Sequence, residues 1–300
     1  MAPEPVRGTF VGLATLDVVQ RVSRPPGPNE KVTALRQDIA AGGPAANAAV
    51  VFAALGGRAR LVTALGRSSG AGLVRSDLER NGVEIVDLTP HRDAPVSISS
   101  ITVVDATGER SVVSPDAGTE TVPAPSDPMP LVGDADVVLI DGHHPAVALA
   151  TARAARAANL PVVVDAGRWK PVMADLLPLA DDVVCSADFR WPGTADPSTS
   201  AQTIRVSAGA RLVAVTRGPS PVLWWEGEDA GEVAVPAVTA VDTLGAGDAF
   251  HGAYAWWRTQ PGRSAADRLG RAAVVAARRC ASIGPRAWLA DLPVPDGGAG

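Results

Sequence analysis

Asp242-Thr243-Leu244-Gly245-Ala246-Gly247-Asp248-Ala249-Phe250-His251-Gly252 sets small residues directly before an acidic one, and an apolar run after it. Glycine and alanine let a backbone come close to a ligand, and glycine also tolerates positive φ. A helix starting here presents free N–H groups and a positive dipole end, which together make a seat for phosphate. Asp248 would repel a phosphate in that seat unless it has work to do there. Accepting a proton from an attacking hydroxyl is such work. The stretch reads as phosphoryl transfer to an alcohol.

On either side of it, short apolar runs alternate with alanine-rich helical stretches. Phe10–Leu13, Ala59–Leu65, Val137–Ile140, Pro161–Val164, Val183–Cys185 and Leu212–Thr216 read as buried strands. Ala45–Leu55, Ala71–Asn81, Pro145–Ala158, Thr199–Ala208, Ala246–Arg258 and Ala265–Cys280 read as helices. This alternation predicts an α/β fold with a mostly parallel sheet covered on both faces. Lys31–Asp38, Val96–Val104 and Arg110–Ser114 break the rhythm, with a hairpin turn signal at Asp105-Ala106-Thr107-Gly108. They are expected to form a small antiparallel flap, inserted from about 14–41 and 94–116, that acts as a lid over the strand ends where ligands bind. The Pro- and Gly-rich stretch 293–300 reads as a disordered tail, and 1–300 as a single domain.

Composition narrows the function classes. The 300 residues are 46% hydrophobic, enough for one large core, and the formal net charge is only −5 with both signs mixed throughout. No basic stripe suggests nucleic acid, and no apolar run approaches the ~20 residues of a membrane span. Cys185 and Cys280 are too few for a disulfide framework. The segment Met1–Thr9 lacks the blocks of a signal peptide, so a cytoplasmic location is expected. Lysine occurs only at Lys31 and Lys170, neither in a P-loop setting. The Rossmann fingerprint also fails, because Phe250 stands where its third glycine belongs.

A second glycine cluster, Gly42-Gly43-Pro44-Ala45-Ala46-Asn47, leads straight into a helix. Asn47 is either a surface asparagine at a helix start or an amide that donates and accepts to substrate hydroxyls. Asp17 follows the first strand, as a loop cap or at the end where ligands sit. Together these residues suggest a polyol. His143 and His144 end the Val137–Ile140 strand. Successive side chains there point opposite ways, which disfavours a metal site and leaves an ordinary loop or contact with substrate. Arg168 would either approach the ligand or pair with Asp165.

With both clusters in this order, and with Gly56 and Gly66 at their spacings, the chain resembles the ribokinase-like (PfkB) carbohydrate kinases over essentially its whole length. Phe250-His251-Gly252-Ala253 and Cys280 near Gly284 look closest to ketohexokinase-like and sulfofructose-kinase-like members, although histidines rather than an arginine at 143–144 weigh against sulfofructose. The resemblance implies a ribokinase-like three-layer α/β/α sandwich with a small β lid. It implies ATP-dependent phosphorylation of a primary hydroxyl of a small sugar, a ketose or pentose. Asp248 would be the base and Gly245, Ala246 and Gly247 the anion hole. Asp17, Gly42, Gly43 and Asn47 would hold sugar hydroxyls, with His143 and Arg168 as further substrate contacts. Thr216, Arg217, Gly218 and Thr243 would meet the nucleotide phosphates, and Ala277 and Cys280 would border the adenine. Mg²⁺ would travel with ATP, and Asp242 would mark a monovalent-cation position for K⁺.

The resemblance also implies a homodimer through the lid. Where the family carries Asn-x-x-Glu for the Mg²⁺ water network, this chain reads Ser186-Ala187-Asp188-Phe189, so Ser186 and Asp188 are the candidates there. A nucleoside kinase on the same fold would stack a base on lid aromatics, and the lid segments contain none. A catalytically silent ATP- or sugar-binding regulator is the alternative from another class.

Overall fold

The computed structural model describes residues 4–117 and 121–292, so the expected tail at 293–300 lies outside it. The strands are β1 (Arg7–Val11), β2 (Thr15–Val22), β3 (Arg36–Gly42), β4 (Arg58–Thr63), β5 (Val83–Asp87), β6 (Ile98–Val104), β7 (Arg110–Val113), β8 (Val137–Ile140), β9 (Val162–Ala166), β10 (Asp182–Ser186), β11 (Leu212–Arg217), β12 (Ser220–Glu226) and β13 (Asp229–Val233). The helices are α1 (Pro44–Ala54), α2 (Ser69–Arg80), α3 (Met129–Val132), α4 (Pro145–Ala157), α5 (Met173–Leu176), α6 (Pro197–Ala208), α7 (Ala246–Arg258) and α8 (Ala265–Cys280).

A nine-stranded sheet runs in the order β13-β12-β11-β10-β9-β8-β1-β4-β5. It is parallel except for the β12 and β13 edge. Its central strands β1, β8, β9, β10 and β11 are largely apolar and buried because both faces are covered, and the period-2 alternation sorts their side chains into two cores. Phe10, Leu61, Leu139, Val163, Val184 and Ala214 face α1, α2, α7 and α8. Their neighbours Val11, Val62, Ile140, Val164, Cys185 and Val215 face α3 to α6. The three-layer sandwich expected from the sequence is present.

The second sheet, ordered β3-β2-β6-β7, corrects one expectation. It is mixed rather than antiparallel, because β2 and β6 pair in parallel with Leu16 opposite Ile98. The reason is topological: β2 follows β1 and β6 follows β5, and β1 and β5 point the same way in the main sheet. Strand β2, which carries Asp17, lies within the expected lid segment 14–41, although no strand is expected at Thr15–Val22 itself.

Helices α1 and α7 meet unusually closely. A Cβ on Gly252 would lie 2.3 Å from the Ala48 carbonyl oxygen and 2.9 Å from the Ala48 Cα. Backbone offers nothing flexible to move aside, so only glycine fits. Gly252→Ala is expected to lower the melting temperature by an overpacking cost of about 1–3 kcal/mol. An unchanged thermal melt would mean that the two helices have slack.

Candidate active site

Both signature turns become helix N-termini on the α1/α7 side of the sheet. Gly43 caps α1 at φ 98°, and Pro44 occupies the first turn, where its missing N–H costs nothing. A Cβ on Gly43 would lie 2.2 Å from the Leu13 carbonyl oxygen, and one on Gly42 would overlap the Asp17 carboxylate. Gly245 caps α7 in the left-handed conformation at φ 73°, and no side chain caps the helix. No atom lies within 4 Å of a Cβ placed on Gly247, which is exposed. Gly247 is therefore open to an approaching ligand, while Ala246 N donates to the Thr243 carbonyl at 3.4 Å. Ala246 beside it is half-buried.

The close contact at Gly252 brings the two turns together. Asn47 Nδ2 donates to Asp248 Oδ2 at 2.8 Å. Behind it, Arg286 Nη1 donates to Asn47 Oδ1 at 3.0 Å, which fixes the amide so that its nitrogen faces Asp248. Arg286 is held in turn by Asp77 Oδ2 (3.0 Å) and the Ala41 carbonyl (2.7 Å). Asp17 shares the same cleft with Asn47, Leu244, Gly245 and Arg286. Its Oδ1 accepts from Thr15 Oγ1 at 2.7 Å. Burial raises the Asp17 pKa above the ordinary carboxylate value, and the negative charge of Asp248 adds to the rise.

The segment before Gly245 is tied down on every side. Val241 N and Asp242 N donate to the Cys280 carbonyl (2.8 and 3.2 Å). Arg21 Nη2 donates to the Val241 carbonyl at 2.9 Å. Thr243 Oγ1 accepts from Arg110 Nη1 at 2.9 Å and donates to the Gly108 carbonyl at 3.3 Å, so the β6–β7 turn rests on this segment. The Asp242 carboxylate, expected to mark a monovalent-cation position, is taken by protein donors. Leu244 N and Gly284 N donate to it (3.0 and 3.3 Å), and Arg279 Nη2 pairs with Oδ2 at 3.0 Å. A buried guanidinium therefore stands beside the carboxylate at which the monovalent cation is expected.

Other candidates lie further out or are otherwise engaged. Arg217 was expected at nucleotide phosphates, but its Nε and Nη2 fold back onto the Pro221 carbonyl (2.9 and 2.7 Å). Thr216 Oγ1 donates to the Cys185 carbonyl at 3.3 Å, and Gly218 turns the chain at φ 58°. Arg168 is exposed and pairs with Asp116 rather than Asp165. Ser186 Oγ donates to the Gly167 carbonyl at 2.6 Å and accepts from Asp188 N, leaving the Asp188 side chain exposed. Ala277 is buried in α8, and Cys280 is half-buried with its thiol pKa raised by burial. Among the described residues, no group of three or more His, Cys, Asp or Glu side chains is arranged to hold a metal ion.

His143 and His144 are buried beside Asp141, the residue that organises this corner. The Asp141 carboxylate accepts from Leu13 N (2.9 Å), Ala45 N (3.2 Å) and His143 N (2.8 Å), with His143 Nδ1 3.0 Å away. Burial alone would raise its pKa, yet His143, Lys170 and these amides hold it well below the usual carboxylate range. Asp141 was visible in the sequence only as a neighbour of the histidines. Arg279, Arg286 and Asp77 drew no attention there, although Arg279 and Arg286 flank the conspicuous Gly284-Pro285 turn.

A model of the pfkB family of carbohydrate kinases matches residues 9–291. An ATP-dependent ribose-1-phosphate kinase of Halopiger xanaduensis is 29% identical over 272 residues, 85% of this chain and 86% of that protein. A ribokinase of Lactococcus lactis is 26% identical over 84% of this chain and 83% of its own length. The structure of Arabidopsis thaliana ribokinase complexed with ribose and ATP superposes with a TM-score of 0.74 at 24% identity, covering 93% of this chain and 94% of that one. These relatives give no support to a ketohexokinase-like or sulfofructose-kinase-like subtype. The fold and a family match over nearly the whole chain agree: this protein is a member of the pfkB family of carbohydrate kinases.

Proposed function

We propose that this kinase transfers the γ-phosphoryl group of ATP to a primary hydroxyl of a small sugar, a ketose or pentose, with Asp248 as general base. The observation that carries this reading is the Asn47–Asp248 hydrogen bond at the uncapped N-terminus of α7. It fixes a carboxylate at a helix N-terminus that no side chain caps, beside the exposed Gly247, the pairing that in-line attack on a phosphoryl group needs.

In this reading the sugar hydroxyl donates to Asp248 and loses its proton to that carboxylate as its oxygen attacks the γ-phosphorus. The bond from that phosphorus to the bridging oxygen breaks, and ADP leaves. Gly245, Ala246 and Gly247 direct their N–H groups at the charge that develops on the transferring group. Carboxylates are weak bases, so the acceleration comes mainly from positioning and charge stabilisation. Asp17 and Asn47 receive the remaining hydroxyls. Mg²⁺ entering with the nucleotide would supply charge neutralisation at its phosphates. The second sheet acts as the lid, tied to the anion hole through Gly108, Arg110 and Arg21. Exposed Leu35, Ile39, Ile98, Val112 and Val113 around that sheet favour its use as a homodimer contact.

ADP release measured with Mg-ATP against ketoses, pentoses, ribose 1-phosphate and nucleosides is expected to show turnover on a sugar or sugar phosphate. Turnover on nucleosides alone would overturn the substrate class. Asp248→Ala should lose about a thousandfold in turnover with ATP affinity nearly intact. A variant keeping a tenth of wild-type turnover would refute the base assignment.

Asp17 gives a pH test. Because its folded pKa is raised, ionising it costs more in the folded than in the unfolded chain. That cost is absent when both states are protonated and is complete once the pH has passed the folded value. Asp17→Asn should therefore melt higher than wild type at pH 7, with the gap closing as the pH falls through the raised folded value and gone below the ordinary carboxylate value of about 4, while sugar affinity drops. A variant that melts lower at pH 7 would contradict the burial argument.

A further inference from the structure

The K⁺ expected at Asp242 does not fit the residues present, and what replaces it is specific. Arg279, in the last turn of α8, has a side chain only 3% exposed. Its Nη2 lies 3.0 Å from Asp242 Oδ2. Its Nη1 donates to the Ser282 carbonyl at 2.8 Å and reaches the Asp242 carbonyl at 3.4 Å. A carboxylate oxygen and two carbonyl oxygens, from the 242 turn and the 282 loop, thus converge on one buried positive group. That is the ligand chemistry of a monovalent cation, satisfied here by a side chain.

We infer that the Arg279 guanidinium is a tethered substitute for a monovalent metal cation, and that it is a positioning residue for the anion hole. The catalytic part of this inference rests on the kinase reading above. Arg279 joins the Asp242–Leu244 turn, which leads into Gly245, to the 282–286 loop. Gly284 N from that loop also donates to Asp242, and two residues on, Arg286 orients Asn47 toward Asp248. One short loop therefore holds the anion hole at one end and the base at the other, and Arg279 fastens it to the turn.

A free metal ion would occupy this place only in proportion to its concentration relative to its dissociation constant. A covalently attached guanidinium is always present, and its planar fork can bond two oxygens in fixed directions. The chain has thereby lost a dependence on its ionic surroundings. A lysine could supply the charge but not the fork. Removing the side chain leaves a buried carboxylate without its partner, together with a space sized for a small cation.

The experiment compares wild type, Arg279→Ala and Arg279→Lys in choline chloride, then with KCl or guanidinium chloride at constant ionic strength, reading turnover and melting temperature. Wild type is expected to be indifferent to K⁺ in both readouts. Arg279→Ala should lose about ten- to a hundredfold in turnover, the scale on which misplaced catalytic groups are felt, with a smaller change in KM. Guanidinium or K⁺ should restore part of that turnover and raise the melting temperature of this variant alone, both saturably. Arg279→Lys should recover less than guanidinium restores.

Wild type activated or stabilised severalfold more by K⁺ than by choline would overturn the inference. So would an Arg279→Ala variant that is folded but unchanged in turnover, or one that no cation rescues. If Arg279→Ala does not fold, the wild-type K⁺ titration and the Arg279→Lys melt still decide. If wild type phosphorylates no sugar, the kinase reading fails, while the cation-specific melting shifts still judge the tethered cation.

Discussion

Everything in the site depends on how near α1 comes to α7. At Gly252 the second helix lies against the backbone of Ala48, with no side chain between. Small residues on both helices, Ala45, Ala48 and Ala49 on α1 and Ala249 and Ala253 on α7, belong to the same buried core. Dispersion attraction falls steeply with separation, so a seam of small residues both tightens and stiffens the pair. The 2.8 Å bond between Asn47 and Asp248 is the geometric result. Residues far apart in sequence are joined by a rigid seam rather than by a flexible loop.

Bringing carboxylates into one region has an electrostatic cost, and the structure meets it differently at each. Asp141 is surrounded by amides, His143 and Lys170, and stays ionised. Asp165 is fully enclosed, and burial raises its pKa, only partly opposed by His251, whose Nδ1 lies 3.4 Å away. Asp17 is raised by burial and by Asp248. Asp242 has Arg279. The carboxylates with dedicated cationic partners brace turns, whereas Asp17 lines the cleft and Asp248 is bonded to Asn47, which also lines it, so both have amide or hydroxyl neighbours that a substrate hydroxyl can join.

The α/β alternation and both glycine turns were legible because they are local. Apolar runs of strand length, proline at a helix start and glycine at positive φ each follow from a few adjacent residues. The cleft at Asn47 and Asp248 was foreseeable for the same reason, since both residues sit one turn into helices that those glycines begin. What stayed hidden was non-local. Nothing near Arg217 announces that it folds onto Pro221, and nothing near Arg279 names Asp242 as its partner. The parallel pairing of β2 with β6 depends on where β1 and β5 stand in the main sheet, which no window of sequence contains. Asp17 stands out as a candidate, yet its strand does not, because Thr15–Val22 mixes polar residues into an apolar run.

The scarcity of lysine has a practical consequence. Lys170 donates to the Asp141 carbonyl at 2.9 Å and is half-buried, so its amine is engaged. Lys31 is exposed on the loop joining β2 to β3, the second sheet's own connection. An amine-directed fluorophore would therefore find one free lysine side chain, on the small sheet, while the tryptophans Trp256 and Trp257 sit in α7 beneath the main one. The chain thus carries, without any substitution, a lysine labelling point on the small sheet, against seven tryptophans that all lie outside that sheet.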